Sequence, residues 1–193
     1  MKKRHFLSAA LSAAALPAAA TGAHASRVPG PALLTLTGAL ARSNRGPFDP
    51  VLDQMMHKQK LSFDKAFSID FNALLALPAV NIRPTLEYDG KPHTLRGPLL
   101  LDVLALAGTH PRDDGKLLLR AVDGYAVALP VAQARAQRFI VATHLDGKSM
   151  ALGGLGPLWA LYDADRFADM AARPLGERFG ACPWALYHIE VAG

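Results

Sequence analysis

Asp-Gly pairs divide this 193-residue chain into short pieces, and that punctuation limits the fold more than any other feature. Leu117 to Val122 and Tyr125 to Leu129 read as strands joined by Asp123-Gly124, a two-residue hairpin signal, because both residues tolerate the left-handed backbone of a tight turn. Phe139 to Thr143 and Met150 to Leu152 read as a second pair around Asp146-Gly147.

The remaining segments fit the same pattern. Leu33 to Thr37 alternates apolar and hydroxyl side chains, which suits an edge strand ended by Gly38. Residues 42–65 are polar and irregular, with turn signals at Asn44-Arg45-Gly46-Pro47 and Pro50. Asp70 is placed to cap a short helix over Phe71 to Leu77, stopped by Pro78. Asn81 to Tyr88 reads as an edge or irregular strand because of Pro84. A helix with Leu100, Leu101, Val103, Leu104 and Ala107 on its apolar face ends at Gly108. Leu158 to Tyr162 reads as a strand, Asp163 to Ala172 as a last helix, and Trp184 to Val191 as a final strand with two distinct faces. Short strands interspersed with a few short helices predict an α+β fold.

The N-terminus reads as an export signal: Lys2, Lys3 and Arg4, an apolar run from Phe6 to Ala20, and an Ala23-His24-Ala25 cleavage site. Lys3-Arg4-His5-Phe6-Leu7 is similar to a twin-arginine motif with its first arginine replaced, so twin-arginine and ordinary secretion both remain open. The expected organisation is a signal at 1–25 and one periplasmic domain at 26–193. Removing the signal lowers the formal net charge from +5 to +2, and no Lys/Arg run remains, so nucleic acid is not an expected partner. The single cysteine, Cys182, excludes an internal disulfide. His57, His93, His110, His144 and His188 show no metal-ligand spacing, so no metal site is expected.

Four stretches, FSIDFNALLALP from Phe67, RGPLLLDVLALAG from Arg96, LLLRAVDGYAVALP from Leu117 and LGPLWALY from Leu155, occur in an order that resembles the cofactor domain of sulfite-oxidase-type molybdopterin oxidoreductases. The resemblance runs from about Leu34 to Val191 and implies a molybdopterin-binding α+β fold of mixed sheets and short helices. In those enzymes a cysteine just before the R-G-P-L segment ligates molybdenum. Here Thr85-Leu86-Glu87-Tyr88-Asp89-Gly90 holds no sulfur, and Trp159 stands where many of the enzymes carry arginine. The chain looks most like short exported relatives lacking that cysteine. Some of these bind a simple reduced pterin and report it to the periplasmic domain of a membrane receptor, often one controlling cyclic-di-GMP.

That resemblance implies a non-catalytic pterin-binding protein. Two alternatives stay open: a molybdopterin-dependent oxidoreductase with a non-cysteine or absent protein ligand, and a ligand-free interaction module. A pterin needs apolar or aromatic walls for its faces and a carboxylate for its donor edge. Glu87 and Asp123 are the candidates for the edge, Tyr125 and Trp159 for stacking, and Arg83 and Arg96 for the polar tail or carbonyl. Each has a plainer competitor: a hairpin turn for Asp123, a solvated turn for Glu87, core packing for Trp159 and Tyr125, and open solvent for the arginines. Trp184 reads as a core or partner-facing residue, and Cys182 as a buried small side chain.

Overall fold

The computed structural model describes residues 30–192; the expected signal at 1–25 lies outside them. The strands are β1 Ala32–Gly38, β2 Phe67–Asp70, β3 Ala79–Ile82, β4 Leu95–Pro98, β5 Lys116–Ala121, β6 Ala126–Pro130, β7 Ile140–Ala142, β8 His144–Leu145, β9 Lys148–Ser149, β10 Trp159–Leu161 and β11 Leu186–Ala192. The helices are α1 Gln54–Lys58, α2 Phe71–Leu75, α3 Leu100–Ala105, α4 Val131–Ala136, α5 Ala168–Ala171 and α6 Leu175–Arg178, with a 3-10 turn at Ala164–Arg166. Among the described residues no helix is long and apolar enough to cross a membrane.

Three sheets share one core. The largest has the order β2-β1-β11-β5-β6, the second β3-β4-β8-β9, and the third is the pair β10-β7. β1 is therefore interior, not the expected edge: it runs parallel to β11 on one side and antiparallel to β2 on the other. Its hydroxyl residues tolerate burial because at least one finds a partner, with Thr37 Oγ1 lying 2.9 Å from His188 Nε2. β11 is likewise buried on both faces over most of its length, so its alternation does not separate an inside from an outside.

The two Asp-Gly turns differ. Leu145 pairs with Lys148, leaving Asp146-Gly147 as a two-residue turn in which both residues have positive φ (48° and 78°). Arg120 pairs with Ala126, and the Ala121 amide donates to the Tyr125 carbonyl, so the first hairpin has a three-residue loop, Val122-Asp123-Gly124. Val122 is drawn out of the ladder because its amide donates to Ala185 O at 3.1 Å. The expected pairing of Phe139–Thr143 with Met150–Leu152 does not form. β7 is wholly buried and pairs with the equally buried β10, which leaves only two short strands beside Asp146-Gly147.

Asp70 caps α2 as expected, its Oδ1 accepting from the Ala73 amide at 2.7 Å. The expected helix at 163–172 is broken at Phe167, whose backbone is extended and whose ring lies 5.8 Å from that of Tyr162. Within 42–65 the chain is ordered around α1. Met56 and Leu61 form a small cluster with Tyr187, and Arg45 pairs with Asp53 while lying over the Phe63 ring.

Gly97, inside the Arg96-Gly97-Pro98 segment, is where β4 crosses β7. A Cβ there would lie 2.0 Å from the Val141 carbonyl oxygen and 2.8 Å from Ala142 Cα. Both obstacles are backbone, so a side chain separates two sheets rather than displacing a rotamer. Gly97→Ala is expected to lower stability by about 1–3 kcal/mol, the range for forcing extra volume into a packed site. Urea unfolding checks it, and an unchanged midpoint would contradict the close crossing.

His188 is 1% exposed, and its ring is fixed by donors of known sense. Arg120 can only donate, and its Nη1 lies 3.2 Å from His188 Nδ1, so Nδ1 accepts and Nε2–H donates to Thr37. Burial first, then the charges of Arg120 and Arg45, push the imidazole down to about 3. The unfolded chain takes up this proton below about 6.5, whereas the folded chain refuses it until about 3. This stability is thus complete above pH 6.5 and lost as pH falls toward 3, by at most about 1.4 kcal/mol per pH unit. Denaturant midpoints between pH 7 and 4.5 should fall more steeply in the wild type than in His188→Gln; parallel slopes would refute the neutral buried ring.

Candidate functional site

A cavity of about 200 Å³ opens where three separate pieces of chain meet. The first is the 83–94 loop between β3 and β4, which contributes Glu87 and Tyr88. The second is the end of β5 and its turn, contributing Ala121, Asp123 and Tyr125. The third is the segment entering β11, contributing Phe179, Cys182, Pro183 and Trp184.

Local chemistry explains each wall. The 83–94 loop folds back on itself: the Leu86 amide donates to Lys91 O at 2.9 Å, Gly90 N to Leu86 O at 3.0 Å, and His93 N to Pro84 O at 3.1 Å. Leu86 is buried beneath, which leaves Glu87 and Tyr88 at the rim. Two aspartates of the segment after β10 hold the base of the loop, Asp163 Oδ2 accepting from the Arg83 amide and Asp165 Oδ2 from the Thr85 amide. In the hairpin turn, Asp123 Oδ1 accepts from the Tyr125 amide at 2.9 Å, which holds the carboxylate at the cavity wall. The Tyr125 hydroxyl donates to the Gly180 carbonyl, tying the turn to the third wall.

Trp159 forms the floor support, not the wall. It is 1% exposed, its Nε1–H donates to Cys182 O at 2.8 Å, and its ring lies 6.3 Å from Tyr88 and 6.4 Å from Phe179. Arg83 and Arg96 are both exposed and neither lines the cavity. Arg96 stands on β4 opposite Asn81 and His144. The structure thus brings together Glu87, Asp123 and Tyr125 of the six sequence candidates. It adds Tyr88, Trp184 and Phe179, which sequence reasoning did not place there. An aromatic beside the Asp89-Gly90 turn was the available signal for Tyr88; nothing local marks Phe179.

The electrostatics are one-sided, with two carboxylates and no lysine or arginine among the lining residues. Partial burial, then the adjacent Glu87 carboxylate, raise the Tyr88 hydroxyl above its ordinary value. Cys182 is pushed well up by complete burial, with Glu87 adding to the shift, so at neutral pH it remains a thiol rather than a thiolate. Among the described residues no three or more His, Cys, Asp or Glu side chains converge as a metal-holding group. Chemically, the arrangement can accept hydrogen bonds from the edge of a flat, donor-rich ring and cover its faces with aromatic carbon.

No protein-family model matches the chain, and no curated protein matches it. Among solved structures, the crystal structure of the sulfane dehydrogenase SoxCD from Paracoccus pantotrophus aligns with a TM-score of 0.52 at 12% identity. The alignment covers 82% of this chain and 37% of that one, so this chain spans little more than a third of the length of its solved counterpart. At that identity the likeness is one of fold. The chain has a mixed fold of several sheets and short helices, and over the aligned part it shares that fold with the sulfane dehydrogenase structure.

Proposed function

We propose that this chain is an exported, non-catalytic protein that binds a reduced pterin in the Glu87–Asp123 cavity and reports its occupancy to the periplasmic domain of a membrane receptor. The observation carrying the ligand half of this reading is the composition of the cavity wall: two carboxylates, aromatic rings from all three pieces of chain and no lysine or arginine. A pterin presents an amino group and a ring N–H in one plane, which a single carboxylate can accept as a pair. Tyr88, Tyr125 and Trp184 supply the faces. The volume of about 200 Å³ lies below the ~300–1,000 Å³ usual for larger ligands, which favours a bare bicyclic ring. The receptor half is supported by the resemblance to short exported relatives. It requires that the filled and empty forms differ in affinity for the receptor.

Molybdopterin suits these residues poorly. Its phosphate would meet Glu87 and Asp123 without a counter-charge, and the one sulfur in the wall is held as a buried thiol. No redox step is therefore assigned to this cavity.

Anaerobic calorimetry with a tetrahydropterin lacking phosphate tests the reading. Saturable binding at one site is expected. Glu87→Gln and Asp123→Asn should each weaken it by about 10- to 100-fold, the value of one hydrogen bond to a charged group. Glu87 stands at the rim, and asparagine keeps the oxygen that Asp123 offers to the Tyr125 amide, so thermal midpoints should be unaltered. Absence of binding by tetrahydro- and dihydropterin, or full affinity in both variants, would overturn the assignment.

A further inference from the structure

On the outer side of the loop that forms the cavity lip, one imidazole lies between two carboxylates. His93 Nδ1 is 2.7 Å from Asp146 Oδ2 in the β8–β9 turn. His93 Nε2 is 3.2 and 3.1 Å from the two oxygens of Asp89, the residue directly after Tyr88. The three side chains do not converge on a common point, because the ring separates the carboxylates. Neither ionised carboxylate can donate a hydrogen bond, so both bonds form only when both ring nitrogens carry protons.

We propose that His93 is a proton-operated latch on the cavity lip. With both nitrogens protonated it clamps the tip of the 83–94 loop, and with it Glu87 and Tyr88, beside the cavity; after losing one proton it releases that tip. Deprotonation breaks the hydrogen bond to Asp89 and spares the one to Asp146. Asp146 is the shorter partner and is independently anchored, its Oδ1 accepting from the Thr94 amide at 2.9 Å and its own amide donating to Thr94 O at 2.8 Å. The neutral ring therefore keeps Nδ1–H on Asp146 and turns a lone pair toward Asp89. The backbone turn at Leu86 and Gly90 persists, so the loop loosens at its tip without unfolding.

The charged groups facing the ring agree on the direction. Asp146 first and then Asp89 raise the His93 imidazole above its ordinary value, opposed by slight burial. Both aspartates are lowered, His93 being the first cause for each, with Lys91 acting on Asp89 and Arg83 on Asp146. They stay ionised through the range in which His93 titrates. Since the folded-state value of His93 lies above 6.5, the latch is closed below it and opens as pH rises through it. The consequence for ligand binding rests on the reading of the cavity given above; the latch itself is testable without any ligand.

Nitrogen-15 relaxation at the Tyr88 and Asp89 amides of the ligand-free protein, measured alongside the His93 ring titration, tests it. Order parameters should fall from the ~0.85 of rigid backbone toward ~0.6 as pH rises, with the same midpoint as the ring. His93→Gln, whose side chain does not titrate, should remove the pH dependence of the tip order. Asp89→Ala, which leaves the Asp146 bond intact and removes the partner of Nε2, should do the same while bringing the His93 titration back toward its ordinary value. Tip order that does not change across the ring's titration, or a pH-dependent change that survives in His93→Gln, would overturn the latch. Failure of pterin binding with the tip transition intact would overturn the cavity reading alone.

Discussion

The parallel pairing of β1 with β11 holds the rest of the fold in place. It joins the first and last strands of the described chain at the centre of the main sheet, with Thr35 beside His188 and Gly38 beside Val191. A parallel pair cannot be closed by a local turn, so every element between these strands is enclosed by this contact. The neutral His188 ring, bonded to Thr37 across the pair, fixes their alignment in a region where a slip would bury an unpaired imidazole. Once β11 is fixed, the segment just before it is fixed too. That segment carries Cys182 and Trp184 into the cavity wall.

Aromatic and backbone contacts then assemble the site across long sequence distances. The Trp159 indole donates to the Cys182 carbonyl, the Val122 amide to the Ala185 carbonyl, and the Tyr125 hydroxyl to the Gly180 carbonyl. All three acceptors belong to residues 180–185, a stretch without regular ladder partners of its own. Satisfying those carbonyls is what brings β10 and the β5–β6 turn against it. The cavity is therefore a by-product of backbone satisfaction at the sheet junction, and its chemistry is set by the few side chains left facing outward.

Much of the element order was legible because local chemistry determines it. The Asp70 cap, the positive φ of Gly108 and the Asp146-Gly147 turn all follow from residues within a few positions of each other. Pairings were less legible. β7 and β10 find each other because both are fully buried, a property of the assembled core that no window of sequence contains. The threonines of β1 suggested an edge strand because the partner of Thr37, His188, lies 151 residues away. At the site, Glu87, Asp123 and Tyr125 were readable as polar or aromatic residues at turns. Trp159 shared that chemical profile, but its indole N–H found a backbone acceptor and its ring entered the core. Arg83 and Arg96 stand off the cavity for a related reason. The backbone around them is spent on holding the loop and β4 in place, while their side chains remain in solvent.

Charge separates this cavity from an oxyanion or phosphate site more sharply than shape does. Two like unit charges about 5 Å apart repel by roughly 3 kcal/mol at an effective dielectric constant near 20. An anionic group entering the cavity would meet Glu87 and Asp123 together, with Cys182 contributing no compensating charge and Arg83 and Arg96 directed elsewhere. A neutral ring carrying donors reverses the sign of that interaction while using the same aromatic walls. β1, β11 and β5 thus supply the frame, and the side chains projecting from their junction supply the selectivity. The lip residue Glu87 sits on the loop fastened by His93, whereas Asp123 sits on a turn fastened by backbone and tyrosine contacts. Both carboxylates thus stand on backbone-closed turns, and only the Glu87 loop carries an ionisable fastening besides, so proton uptake at His93 acts on only one side of the cavity.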